Sequence, residues 1–350
     1  MNRSLAFVQV LGLSLLVVAA GWASEVNTNQ AKAIAEIKRL GGSVTTDEKR
    51  PDKLVIRVDL NGVQVADAQL KHLKRFTELL TLDLADTQVT DAGLEHVKGL
   101  PQLRALYLSS TPVTDAWLER LAGLTQLHVL NLYGTRVTDA GLKHLKGLSQ
   151  LQSLIIGSTQ ITDKGLIQIG RLNRLGLLWL NETSVTDAGL EHLQGLTQLI
   201  WLNLEGDQVK DAGLRYLGKL KRIEILWLDN TLVTDAGLDH LKTLTQLQWL
   251  RLDDTPVTDA GLKHLKGLSQ LLRLRLDGTR VSDAGLEHLK GLTQLRELWL
   301  DNTRVSDAGL AHLRGLTQLE ELWLVGTNVT KAGVQQLRRA LPKCRIVRRA

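Results

Sequence analysis

Leu127-His-Val-Leu-Asn-Leu-Tyr-Gly-Thr-Arg-Val-Thr-Asp-Ala-Gly-Leu-Lys-His-Leu-Lys-Gly-Leu-Ser-Gln150 is one unit of 24 residues, and most of the chain repeats it. The Asp of its Thr-Asp-Ala-Gly-Leu segment, Asp139, recurs at Asp67, Asp91, Asp115, Asp163, Asp187, Asp211, Asp235, Asp259, Asp283 and Asp307, each 24 residues from the next. A strict period of this length marks a solenoid, because no single unit can bury its own apolar face and each must stack on its neighbours.

Each unit divides in two. In Leu103-Arg-Ala-Leu-Tyr-Leu-Ser-Ser-Thr-Pro-Val113, Leu106 and Leu108 are two apart, the strand period that puts both on one face, so that Ala105 and Tyr107 face the other way. In the second half Leu142, Leu145 and Leu148 are three apart and form one stripe of a short helix. Thr138 suits the N-cap, Asp139 suits the positive end of the helix dipole, and Gly147 suits the helix end. The reading is therefore α/β: strand, turn, short helix and return, with all strands parallel and right-handed crossovers.

These motifs resemble the leucine-rich repeat family over residues 55 to 347, where Leu-x-x-Leu-x-Leu-x-x-Thr-x-Val stands for the family's repeat. The Thr-Asp-Ala-Gly-Leu segment is similar to the cysteine-containing subclass of F-box adaptors, with Thr in place of the cysteine. The regular units look most like secreted bacterial members, planctomycete-type and internalin-like. The resemblance implies a right-handed horseshoe, with the parallel sheet on the concave face and the helices on the convex face. It also implies protein–protein interaction as the role.

Taken in order, the chain opens with Arg3, an apolar run from Leu5 to Ala20, and Gly21-Trp-Ala23. This pattern predicts a secretory signal peptide over 1–23, and so a chain sent to the cell envelope or the exterior. Residues 24–54 read as an N-terminal cap with a helix ending at Gly41-Gly42, residues 55–330 as the repeats, and residues 331–350 as a C-terminal cap. Twelve rungs start from Val55 and step by 24 to Leu319. One cysteine, Cys344, excludes an internal disulfide framework. Of 43 Lys and Arg, seven lie in residues 331–350, which hold no acidic residue. The net charge of +6 belongs to one end and does not describe a nucleic-acid groove.

No phosphate-cradling loop, zinc-protease helix or nucleophile elbow occurs, so no enzyme, cofactor or metal is expected. His72, His96, His144, His192, His240, His264, His288 and His312 share one repeat position, read as a helix-surface residue with no converging ligands. Thr87, Thr111, Thr135, Thr159, Thr183, Thr231, Thr255, Thr279, Thr303 and Thr327 form a ladder expected to bond the backbone of neighbouring turns; Asp207 interrupts it. The outward strand positions carry the functional signal. Aromatics gather there as Tyr107, Tyr133, Trp179, Trp201, Trp227, Trp249, Trp299 and Trp323, beside a basic cluster of Arg251, Arg273 and Arg275. Along one edge Glu205, Asp229, Asp253, Asp277 and Asp301 form an acidic ladder. Tryptophan and arginine are the residues of interface hot spots. The expectation is a monomeric scaffold gripping a protein partner on the concave face through Trp179 to Trp323, with binding of a cell-surface polysaccharide as the alternative.

Overall fold

The computed structural model describes residues 30–348. The signal segment expected at 1–23 lies outside the described residues, as do 24–29 and 349–350. Helix α1 (residues 30–39) and strand β1 (Ser43–Thr46) begin the described chain. β1 runs antiparallel to β2 (Val55–Asp59), so the sheet departs from the all-parallel expectation at its first strand. From β2 onward twelve further strands, ending at β14 (Arg345–Val347), are parallel and follow the sequence order in one 14-stranded sheet. The register advances by one repeat each time: Leu202 pairs with Leu178 on one side and Leu226 on the other. The result is a right-handed solenoid, with the sheet on the concave face and short helices on the convex face.

Most strands are only three residues long, and the backbone explains why. The central residue, Leu106 or its equivalent, is fully buried, while the residues on either side face outward. Three residues beyond the strand the chain turns through positive φ, at Asp86, Ser110, Gly134, Ser158, Glu182, Gly206, Asn230, Asp254, Gly278, Asn302 and Gly326. Glycine, asparagine, aspartate and serine dominate this position because other side chains are strained there. Each unit then closes with a short helix, in several rungs an α-helix passing into 3-10 helix, as in α4, whose range Asp139–Leu142 is followed by Lys143–Gly147. The three-residue spacing of Leu142, Leu145 and Leu148 suits that tighter coil.

Two side-chain ladders lock the rungs together, and neither works as the sequence alone suggests. The repeat's Asp does more than face a dipole. Asp67 accepts the backbone N–H of Thr90 in the next rung at 2.7 Å and its hydroxyl at 2.6 Å. The same clamp recurs down to Asp307 with Thr330. That Thr or Ser is also the N-cap of its own helix: Thr138 accepts from Ala140 N at 3.2 Å. The neighbouring glycine follows from the clamp, since a Cβ on Gly141 would lie 2.3 Å from Asp115 Oδ1. At one rung Trp117 stands in this place and is fully buried. Trp117 lies in α3 (Asp115–Arg120), which follows α2 (Leu94–Val97).

The threonine ladder bonds its own turn rather than neighbouring ones. Thr87 Oγ1 donates to Leu84 O at 2.7 Å, and the same bond to the carbonyl three residues back recurs at Thr111, Thr135, Thr159, Thr231, Thr255, Thr279, Thr303 and Thr327. Thr183 alone donates across rungs, to Asp207 Oδ1 at 2.9 Å, and its backbone N–H donates to the same oxygen at 2.8 Å. Asp207 is thus an inter-rung acceptor, only 2 % exposed, and burial pushes its carboxyl up to about 8. At the far end the helix Lys331–Ala340 and β14 close the core over Val334, Leu337 and Ile346. Cys344 is packed beside them, its thiol raised to about 11 by burial.

Candidate functional site

The outward positions of the parallel strands build the concave surface. On β7 (Leu177–Trp179), β8 (Trp201–Asn203), β9 (Ile225–Trp227) and β10 (Trp249–Arg251) the tryptophan alternates between third and first place. Because neighbouring strands stand about 4.8 Å apart, alternation lets the large rings interlock. Trp179 and Trp201 meet edge to face at 5.0 Å between centroids, Trp201 and Trp227 at 5.2 Å, and Trp227 and Trp249 at 5.2 Å. Interplanar angles of 66° to 69° make the stripe a herringbone, the arrangement that ring quadrupoles favour. All four rings are half-buried, and their indole nitrogens are covered with no hydrogen-bond partner.

The arginines expected as a basic cluster are neutralised in place. Arg251 lies over the Trp227 ring at 4.6 Å, Arg273 over Trp249 at 5.0 Å and Arg275 over Trp299 at 5.5 Å. Arg251 Nε is 2.9 Å from Asp229 Oδ2, close but not aligned as a hydrogen bond. Arg275 contacts both Asp253 and Asp277 at 2.9 Å. Arg273 pairs with Glu297 at 3.1 Å. The surface is therefore a lattice of guanidinium, indole and carboxylate rather than a field of positive charge.

The acidic ladder has a structural duty. Asp229 Oδ1 accepts the backbone N–H of Asp253, Asp253 that of Asp277, Asp277 that of Asp301, and Asp301 that of Val325, at 2.6 to 3.1 Å. Burial raises the Asp229 carboxyl, lifts Asp253 to about 7 with help from neighbouring Asp229, and raises Asp277. Tyr133 does not belong with the outward strand residues. It lies two residues beyond the strand Val129–Asn131, and its hydroxyl donates to Glu182 at 3.0 Å.

Trp299 and Trp323 sit on adjacent strands beyond the four-ring stripe, and Trp323 Nε1 donates to Glu321 at 3.1 Å. Among the described residues no group of three His, Cys, Asp or Glu side chains converges to hold a metal. The histidines line the helix layer, and His264 Nδ1 meets Asp239 at 2.9 Å. The clamp from each Asp to the next rung's Thr escaped the sequence reading, although a carboxylate always 23 residues before a Thr or Ser was its signal, broken only at Lys210.

A family profile described as "Leucine-rich repeat region" matches residues 60–238, just over half of the chain. Among solved structures, an internalin from Listeria monocytogenes is similar at 24% identity with a TM-score of 0.65, over 85% of this chain and 91% of that one. A leucine-rich repeat protein from Leptospira interrogans is similar at 20% identity with a TM-score of 0.61, over 79% of this chain and 74% of that one. Comparison with curated proteins finds no match. With a 24-residue unit in the sequence, one strand per unit in the sheet and this matching profile, the chain belongs to the leucine-rich repeat family and has an internalin-like fold.

Proposed function

We propose that the chain is a secreted scaffold that holds a protein partner on its concave face, with Trp179, Trp201, Trp227 and Trp249 at the centre of the contact. Leucine-rich repeats offer extended concave surfaces suited to protein interaction. The observation that carries this reading is the aromatic stripe itself: four half-buried tryptophans on consecutive strands, at positions the core does not need. Thr81, Ala105, Val129 and Ser153 occupy the first strand position of earlier rungs, so the sheet forms without tryptophan there. Trp299 and Trp323 extend the contact, and the arginine and aspartate lattice of Arg251, Arg273, Arg275, Asp229, Asp253 and Asp277 forms its polar rim.

The herringbone favours a protein over a polysaccharide. Stacking on sugars needs open ring faces, whereas here alternate rings stand on edge and guanidiniums cover Trp227 and Trp249. Secretion rests on the signal pattern of residues 1–23, with caps at 24–54 and 331–350 bounding the repeats. Among the described residues no helix is long and apolar enough to cross a membrane.

The test is capture from envelope and secreted fractions by the chain and by its Trp201→Ala, Trp227→Ala, Trp249→Ala triple variant. A partner held by the first and lost by the folded second supports the concave site. Equal capture by both would assign the tryptophans to sheet packing alone.

A further inference from the structure

Two departures from the repeat coincide on the rim of the tryptophan stripe. From the third rung on, the residue before each rung's first apolar residue is glutamine at Gln102, Gln126, Gln150, Gln198, Gln246, Gln270, Gln294 and Gln318, but arginine at Arg174 and Arg222. In the first of these two rungs, the residue just before the strand is Gly176, where other rungs carry side chains as large as Leu80, Arg104 or Leu272. The missing side chain opens a groove of about 290 Å³, lined by Gln152, Arg174, Gly176, Gln198, Ile200 and Arg222. Ile200 gives it an apolar wall, and Leu177 and Trp201 directly follow Gly176 and Ile200 in sequence at the start of their strands.

The charge of this groove is unlike that of the later rungs. Arg251, Arg273, Arg275 and Arg345 are each paired with a carboxylate. Among the described residues Arg174 and Arg222 have no ion-pair partner; each donates only to a glutamine one rung back, Gln150 and Gln198. The two arginines are two strand spacings apart, about 10 Å, on either side of Gln198. The nearest acid along the row, Glu224, is engaged by Gln248 Nε2 at 3.1 Å.

We propose that Arg174, Gly176, Ile200 and Arg222 form a notch that accepts an acidic side chain of the protein partner, while neighbouring apolar side chains of that partner lie on Trp201. The inference rests on the concave-face reading above and names the partner's chemistry at one end of it. Arginine forks bind carboxylates in two-point contacts, and the apolar wall beside the two exposed arginines adds specificity for where the acidic group sits.

Phage-displayed random peptides selected on the chain supply the probe, and labelled winners are titrated by fluorescence anisotropy. Winners should carry Asp or Glu next to an apolar residue, and their Kd should rise about tenfold or more on R174Q/R222Q. G176L tests the cavity separately. A Cβ at Gly176 meets nothing nearer than 3.8 Å, so the variant folds with the notch filled and should lose the same binding. An Asp→Asn change in the peptide should weaken binding to the native chain but cost nothing further on R174Q/R222Q. Absence of winners, winners without acidic enrichment, or a Kd that moves less than about twofold on the arginine variant would overturn the notch. Winners that depend on the three tryptophans but not on the arginines would leave the concave-face reading standing without it. Winners that depend on the arginines but not on the tryptophans would retain the notch and sink the stripe as the binding centre.

Discussion

The two halves of the concave sheet share one scaffold and present different surfaces. On both sides of the middle the same bonds recur: Asp91 clamps Thr114 as Asp259 clamps Ser282, and Thr111 bonds Leu108 O as Thr279 bonds Leu276 O. Outward, the early rungs show Thr81, Ala105, Val129 and Ser153, whereas the later ones show Trp201, Trp249, Arg273 and Glu297. The inward positions and the clamps fix the fold, and they leave the outward positions free. A surface that differs between halves on an unchanged backbone is therefore where function is to be sought.

The largest expected effect breaks the shared scaffold equally in both halves. Gly141→Val and Gly285→Val place a Cβ 2.3 and 2.4 Å from the clamping carboxylates of Asp115 and Asp259. Each should cost about 3 kcal/mol through overpacking and loss of the inter-rung bonds. Gly267→Ala meets nothing within 4 Å and should stay within about 0.5 kcal/mol. Urea unfolding of the three variants measures this. A much milder loss at Gly285 than at Gly141 would mean that the halves do not share one clamp.

A smaller effect separates the halves by pH, because the most strongly raised carboxyls lie in the later rungs. Asp207 is held up to about 8 by burial, far above the usual carboxylate near 3.9. The folded state therefore keeps a proton that the unfolded chain gives up. The stability this confers is complete below about pH 4 and is lost as pH rises through 8. Between pH 6 and 8 the loss should be about 2 kcal/mol. Asp253, raised to about 7, adds in the same direction and levels off sooner. Asp207→Thr restores a hydroxyl to the ladder and should flatten the profile, leaving the shallower slope from Asp253 and the other raised carboxyls, Asp229 and Asp277. Melting temperatures across this range would expose the idea as wrong if native chain and variant fell in parallel.

The sequence made the solenoid legible because its signals are local and repeated: leucine spacing fixes strand and helix, and an unbroken period fixes the stacking. The contacts between units were harder to read. Asp115 and Thr138 are far apart in the chain, and only parallel stacking brings the clamp together. The break at Asp207 made sense only once Thr183 was seen to donate to it. Alternation alone placed the tryptophans on the outward face of the strands, and the family resemblance implied that this face is concave. Their herringbone and the pairing of Arg251 with Asp229 depend on side-chain torsions that no spacing encodes.

The smallest effects sharpen the comparison within the later half, between two arginines that each cover a tryptophan. Arg251 lies over Trp227 with its side chain 17% exposed and faces Asp229, which is fully buried. Arg273 lies over Trp249 with 45% exposure and faces Glu297. Removing one partner of a buried pair strands a desolvated charge, whereas an exposed pair is screened by water. Arg251→Met should therefore cost about 1.5 kcal/mol, below the usual loss for a buried pair because Asp229 and Asp253 can take up a proton instead. That uptake should make the loss grow with pH. Arg273→Met should change stability by less than about 0.5 kcal/mol at any pH. Equal losses in the two variants, independent of pH, would mean that both arginines act only by packing on indole. The lattice beneath Arg251 would then contribute no electrostatics of its own.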